Sequence, residues 1–199
     1  IELALGEAGA AVAVPEDVRV LLDEAYAGDV VGIPNHCLLR IGDTLTVGED
    51  LVFTGVPSFA PEVLRRVKLG DPMQAKKLRE ALEQLAEEGV VQLFLPVDGS
   101  AAIVGVVGAL QLDVLADRLN SEYGVPVSFE PARYEVMRWI SCEDAKKLDE
   151  FVTANRFSIA HDLDGDPVFM AQSAFSLNYT LERAPEIKVT EIKEMHKAA

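Results

Sequence analysis

A chain of 199 residues is long enough for one large or two small domains, and 49% hydrophobic with 7% aromatic residues is the composition of a folded protein with a substantial core. No uncharged apolar run reaches the roughly 18 residues of a membrane span, and Glu2, Glu7 and Pro15 interrupt the alanine- and valine-rich opening, so a membrane segment and a signal peptide are both disfavoured and the cytoplasm is the expected location. A formal charge of −15 argues against a free-standing nucleic-acid binder, because phosphate contacts need lysine and arginine. The cations are unevenly spread, however: up to Ala60 only Arg19 and Arg40 are basic, and the rest of the 18 Lys and Arg residues follow. Cys37 and Cys142 are too few for a disulfide framework and lack metal spacing, so both are expected to be reduced.

In chain order, Ile1 to Leu5 reads as the middle of a strand, and a first residue other than methionine suggests a piece of a longer protein. Short strands are expected at Asp17 to Leu22, Val30 to Ile33, Cys37 to Ile41 and Leu51 to Phe53, with turns at Gly28-Asp29 and Gly42-Asp43, the pattern of part of a small β-barrel. Gly55, Pro57 and Pro61 then fall within seven positions. Proline fixes φ and lacks a donor, so these residues cannot share one helix or central strand and mark a hinge between units, 1–56 and 57–199.

Beyond the hinge, Val63 to Leu69 is a strand, Asp71 and Pro72 open a helix with Leu78, Leu82 and Leu85 on one face, and Gly89 stops it. Val90 to Val97 and Ala102 to Val107 form a hairpin around Asp98-Gly99. Leu112, Leu115 and Leu119 stripe a second helix ending near Gly124, and Val125 to Glu130 returns as a strand. The same order recurs: a strand at Tyr134 to Ile140, a helix capped by Ser141 with Leu148, Phe151 and Val152 inward, strands at Phe157 to His161 and Val168 to Ala171 around Asp164-Gly165, a helix at Ala174 to Ala184 and a strand at Ile187 to Ile192. The fold class is therefore α+β. A partial barrel precedes two successive βαββαβ units (split βαβ, ferredoxin-like; about 62–131 and 132–199), with an antiparallel sheet and helices on one face.

Catalytic signatures are lacking in the sequence. No G-x-x-x-x-G-K-[ST] phosphate loop occurs, and Asp162-Leu163-Asp164-Gly165, which has the D-x-x-G spacing of a GTPase switch, sits between two short strands and reads as a hairpin turn. Asp162, Asp164 and Asp166 imitate the start of a calcium loop, but its sixth and twelfth positions are Pro167 and Ser173, so a solvated acidic turn is expected. His36, His161 and His196 show no ligand spacing, and Cys142 reads as structural. Gly105 and Gly108 are explained by close strand-to-helix packing. No catalytic, cofactor-binding or metal-binding residue is assigned. Two basic groups remain as candidate contacts to a polyanion: Arg65, Arg66 and Lys68 on the first strand after the hinge, and Lys76, Lys77 and Arg79 on the following helix.

The segments Phe53 to Leu69, Gly105 to Leu115, Arg138 to Lys147 and Leu181 to Pro185 resemble peptide chain release factor 3, of the translational GTPase family, beyond its GTP-binding domain; the last two separate it from elongation factor G. Ala25 to Gly32 and Ile41 to Leu45 resemble later strands of that family's second-domain barrel. The resemblance implies a ribosome-interacting C-terminal region of a termination GTPase that promotes release of class I release factors from the ribosome after peptide release. Its partners would be ribosomal RNA and protein and, indirectly, those factors. GTP or GDP with magnesium would belong to a G domain absent from this chain. The competing expectation from the residues alone is a stand-alone ferredoxin-like module that binds a small metabolite.

Overall fold

The computed structural model describes residues 57–194 and, before them, 3–4, 10–12, 20–22, 24–26, 31–32 and 44–45. The chain divides into two compact units, Ile1–Phe53 and Thr54–Lys197. In the first, β1 (Leu3–Ala4) pairs with β4 (Glu24–Ala25), while β2 (Ala10–Val12) pairs with β3 (Val20–Leu22) and β5 (Val31–Gly32). All these ladders are antiparallel. The strand at Ala10–Val12 is not foreseen by sequence, because its alanines carry little β propensity; cross-strand pairing supplies what propensity does not. The described residues of this unit do not draw a barrel, and the expected strands at Cys37 to Ile41 and Leu51 to Phe53 lie outside them.

The second unit is an α+β fold built from antiparallel strands and, among the described residues, four α-helices. After β6 (Pro57–Phe59), its order is β7 (Val63–Leu69), α1 (Ala75–Glu87), β8 (Gln92–Pro96), β9 (Ile103–Val106), α2 (Leu110–Ser121) and β10 (Val127–Pro131). Next come β11 (Val136–Ser141), α3 (Ala145–Ala154), β12 (Ile159–His161), β13 (Pro167–Ala171), α4 (Ala174–Glu182) and β14 (Lys188–Thr190), with β15 (Ile192–Glu194) pairing with β6. The expected βαββαβ order thus occurs twice. The two repeats form one eight-stranded antiparallel sheet, β10-β7-β9-β8-β12-β13-β11-β14, joined through the second strand of each repeat. That seam is a short ladder, Ala160 opposite Pro96 and His161 opposite Leu95, extended by the Val97 amide donating to the Ile159 carbonyl at 3.0 Å.

Local chemistry explains the helices. Asp71 accepts from the Met73 amide at 3.0 Å across a single 3-10 turn, Pro72–Gln74, and α1 follows. Leu82, Leu85, Leu115 and Leu119 are almost fully buried against Leu93, Val104 and Val125. Gly89, Gly99, Gly124 and Gly165 all take positive φ at helix ends and hairpin turns, where a Cβ would be strained. Two expectations are corrected. Ser141 ends β11, and the cap of α3 is Asp144, whose side chain accepts from the Lys146 amide at 2.9 Å. Phe157 lies in a 3-10 turn, Arg156–Ser158, with its ring exposed, because the chain turns once more after α3 before entering β12.

The register at the seam sets Leu95 and His161 on one face and Pro96 and Ala160 on the other, so all four helices share a face of the continuous sheet. Among the described residues no helix lies on the opposite face, which carries its own core: Leu64, Phe94, Ile103, Met137, Trp139, Ala160, Val168 and Met170. Connecting residues Ala60, Ala132 and Tyr134 pack against it.

Candidate functional site

Period-2 alternation along β7 divides the first basic group. Val67 points into the core beneath α1, so Arg66 and Lys68 point to the helix-free face and Arg65 to the helix face. Arg66 Nη2 lies 2.5 Å and Lys68 Nζ 2.7 Å from the two carboxylate oxygens of Glu130 on the neighbouring strand β10. Hydrogen bonds from Lys68 and Arg66 hold the Glu130 carboxyl below its ordinary range. The Arg65 guanidinium instead turns back on the Leu64 carbonyl at 3.0 Å.

The second group lies on the exposed side of α1. Arg79 pairs with Glu83 at 2.8 Å and Lys76 with Glu80 at 3.8 Å, both one helical turn apart. Lys77 carries no ion pair among the described residues, and its Nζ lies near Gly124. The structure therefore brings Arg66 and Lys68 together, sets Lys76, Lys77 and Arg79 on the other side of the sheet, and separates Arg65 from its sequence neighbours. Four of the six cations are shared with a carboxylate, so a polyanion would have to displace those partners.

Of the three hinge residues, two are described. Gly55 lies outside the described residues. Pro57 opens β6 opposite Glu194, and Pro61 is buried. Between them Gln92 Nε2 donates to the Phe59 carbonyl at 2.7 Å and to Ser58 Oγ at 3.3 Å, and the Ala60 amide donates to the Glu191 carbonyl at 2.8 Å.

Sequence reading missed the densest charged cluster among the described residues. Lys193 Nζ lies 2.6 Å from Asp162 Oδ2, 2.7 Å from Asp164 Oδ2 and 2.6 Å from Asp166 Oδ2. Trp139 Nε1 donates to Asp162 Oδ2 at 2.9 Å, and the amides of Asp164 and Asp166 donate to Asp162 Oδ1. Burial works against the charge on Lys193, but its hydrogen bonds to the three aspartates outweigh it and raise its pKa. The expected solvated acidic turn is thus anchored at Asp162, which is only 11% exposed. The three carboxylates could converge on a cation, and the lysine ammonium is the cation they hold. No local signal links Lys193 to aspartates 27, 29 and 31 positions away.

A second unforeseen feature is arginine on exposed aromatic rings. Arg183 sits 4.2 Å from the Tyr179 ring centroid, with Phe175 stacked on Tyr179, and Arg156 sits 5.3 Å from the ring of Phe157.

Comparison with known proteins gives a family match over residues 53–181, to the C-terminal domain of class II release factor RF3. That span takes in β6 through most of α4. A solved crystal structure from Thermus thermophilus is 23% identical, with a TM-score of 0.48, and the alignment covers 69% of this chain. The chain spans 23% of the length of that protein.

Proposed function

The chain belongs to the family of the class II release factor RF3 C-terminal domain, and from that premise we propose that it is the ribosome-interacting part of a translation-termination GTPase. In this reading the intact protein promotes departure of class I release factors from the ribosome after the peptide is released. The carrying observation is the family match, which runs through both halves of the eight-stranded sheet rather than one βαββαβ unit. GTP and magnesium would be bound by a G domain outside this sequence, since no phosphate loop is present in it. The first unit would be part of that protein's β-barrel second domain.

A continuous sheet with helices packed along one face is a stiff body, suited to passing a nucleotide-driven rotation to a ribosomal surface. Arg66, Lys68, Lys76, Lys77 and Arg79 are exposed at the places described above, and Arg65 is half-exposed; this reading makes these six residues ribosome contacts. The residues from Gly55 to Pro61 are the segment about which the units would turn. Two experiments test it. In a ribosome-pelleting assay the chain should cosediment with ribosomes in a salt-dependent manner. In the longer protein, release of a labelled class I factor from post-termination ribosomes should require this region. Factor release at an undiminished rate after its deletion would refute the reading.

A further inference from the structure

Strand β6, through which the chain enters the second unit, does not belong to the eight-stranded sheet. Its ladder partner is β15, over three residues: Phe59 opposite Ile192, Ser58 opposite Lys193, Pro57 opposite Glu194. A two-stranded ribbon of this length is not stable alone. Apolar burial does not hold it either, since Phe59 and Ile192 are 57% and 50% exposed.

The ties that remain are polar. Gln92 holds Ser58 and Phe59, and Arg138 pairs with Glu191 just before β15. The strongest is Lys193, whose side chain is 16% exposed and which meets three carboxylates at 2.6 to 2.7 Å. A shielded, multiply bonded charge of this kind contributes more than a surface pair. The seat is built independently of the lysine, because Trp139 and two backbone amides fix Asp162. Ligand oxygens of the three aspartates lie within 4.8 Å of one another, so an emptied seat would set like charges face to face.

We propose that Lys193 in the Asp162, Asp164 and Asp166 seat is an electrostatic clasp that holds the β6–β15 ribbon against the turn between β12 and β13, and that undoing it opens the ribbon as a unit while the sheet stays folded. The clasp thereby controls Pro57 to Phe59, the first part of the stretch whose sequence suggests a hinge. It does not depend on the ribosomal reading, and its test uses no ribosome.

Residue-resolved hydrogen exchange on the whole chain decides it. In Lys193→Met the ribbon amides and the Ala60 amide, which donates to Glu191, should exchange roughly tenfold faster or more, while Leu93, Val104 and Val168 keep their rates. The double variant Asp164→Asn with Asp166→Asn leaves Asp162 to hold its turn and should accelerate the same amides to a smaller degree. Unchanged ribbon exchange in both variants overturns the clasp. So does an acceleration that spreads equally through the sheet, since the ribbon would then not open as a separate unit.

Discussion

Pro61 lies so close over Gly105 that a Cβ at residue 105 would stand 2.5 Å from Pro61 Cγ and 2.8 Å from Pro61 Cβ, with Phe94 Cε2 at 2.9 Å. The glycine therefore seats the segment after β6 on the helix-free face of the sheet. This replaces the strand-to-helix explanation offered by sequence; Gly108, to which sequence gives the same explanation, has nothing within 4 Å of its Cβ position. Gly105→Ala should cost about 1–3 kcal/mol through overpacking, measured by chemical denaturation. Adding Pro61→Ala should recover part of that loss, because it removes the closer of the two Pro61 atoms and frees the backbone to shift. Additive losses in the double variant would mean that the contact is not what constrains residue 105.

Asp144 and Ser141 make a paired comparison of helix caps. Asp144 accepts from the Lys146 amide, whereas Ser141 is exposed at the end of β11. Asp144→Ala should cost about 1 kcal/mol. Ser141→Ala should stay within about 0.5 kcal/mol of the parent in the same denaturant titration.

Glu130 is the obstacle to any anion approaching Arg66 and Lys68. Glu130→Gln should leave the denaturation midpoint nearly where it is in the parent, as these are solvent-screened pairs. If Arg66 and Lys68 touch the ribosome, the same variant should raise ribosome affinity at low ionic strength and steepen its salt dependence. Arg66→Glu with Lys68→Glu should lower both. Affinity unaltered by the double charge reversal would exclude this strand from the contact.

The alternation of apolar residues made much of the second unit legible. Leu78, Leu82 and Leu85 and the stripe Leu112, Leu115 and Leu119 face one core, as their spacing requires, and the turn glycines stand where the sequence placed the turns. What could not be read depends on distant partners. The seam between β8 and β12 rests on a short ladder between strands about 65 positions apart, and nothing in either strand's pattern marks its neighbour. The partners of Asp162, Trp139 and Lys193, are likewise 23 and 31 positions away. The two basic groups were visible as residues, but the carboxylates that occupy four of them were not: Glu130 lies on another strand, and Glu80 and Glu83 read only as ordinary helix charges.

Acid should weaken the fold through carboxylates held by hydrogen-bond partners. Asp98 is lowered by hydrogen bonds with Ser100, Glu122 by Arg118, Glu130 by Lys68 and Arg66, and Glu143 by Lys188. A depressed folded-state pKa means that the unfolded chain binds protons first. The contribution is thus fully present above the unfolded value of about 4 and is lost as pH falls through the lower folded values. Solvent screens Glu122, Glu130 and Glu143, so each of these adds little, and the expected result is a gradual decline in unfolding free energy below about pH 5. About 1 M salt should flatten the part that comes from these exposed pairs. Lys193 has the opposite sign. Its raised pKa gives a contribution already complete at neutral pH, lost only as pH rises above the ordinary lysine value of about 10.4 and through the higher folded one. Ribbon protection that holds to about pH 10 while overall stability declines below about pH 5 would separate the two effects. Early loss of ribbon protection on the alkaline side would contradict the geometry around Lys193.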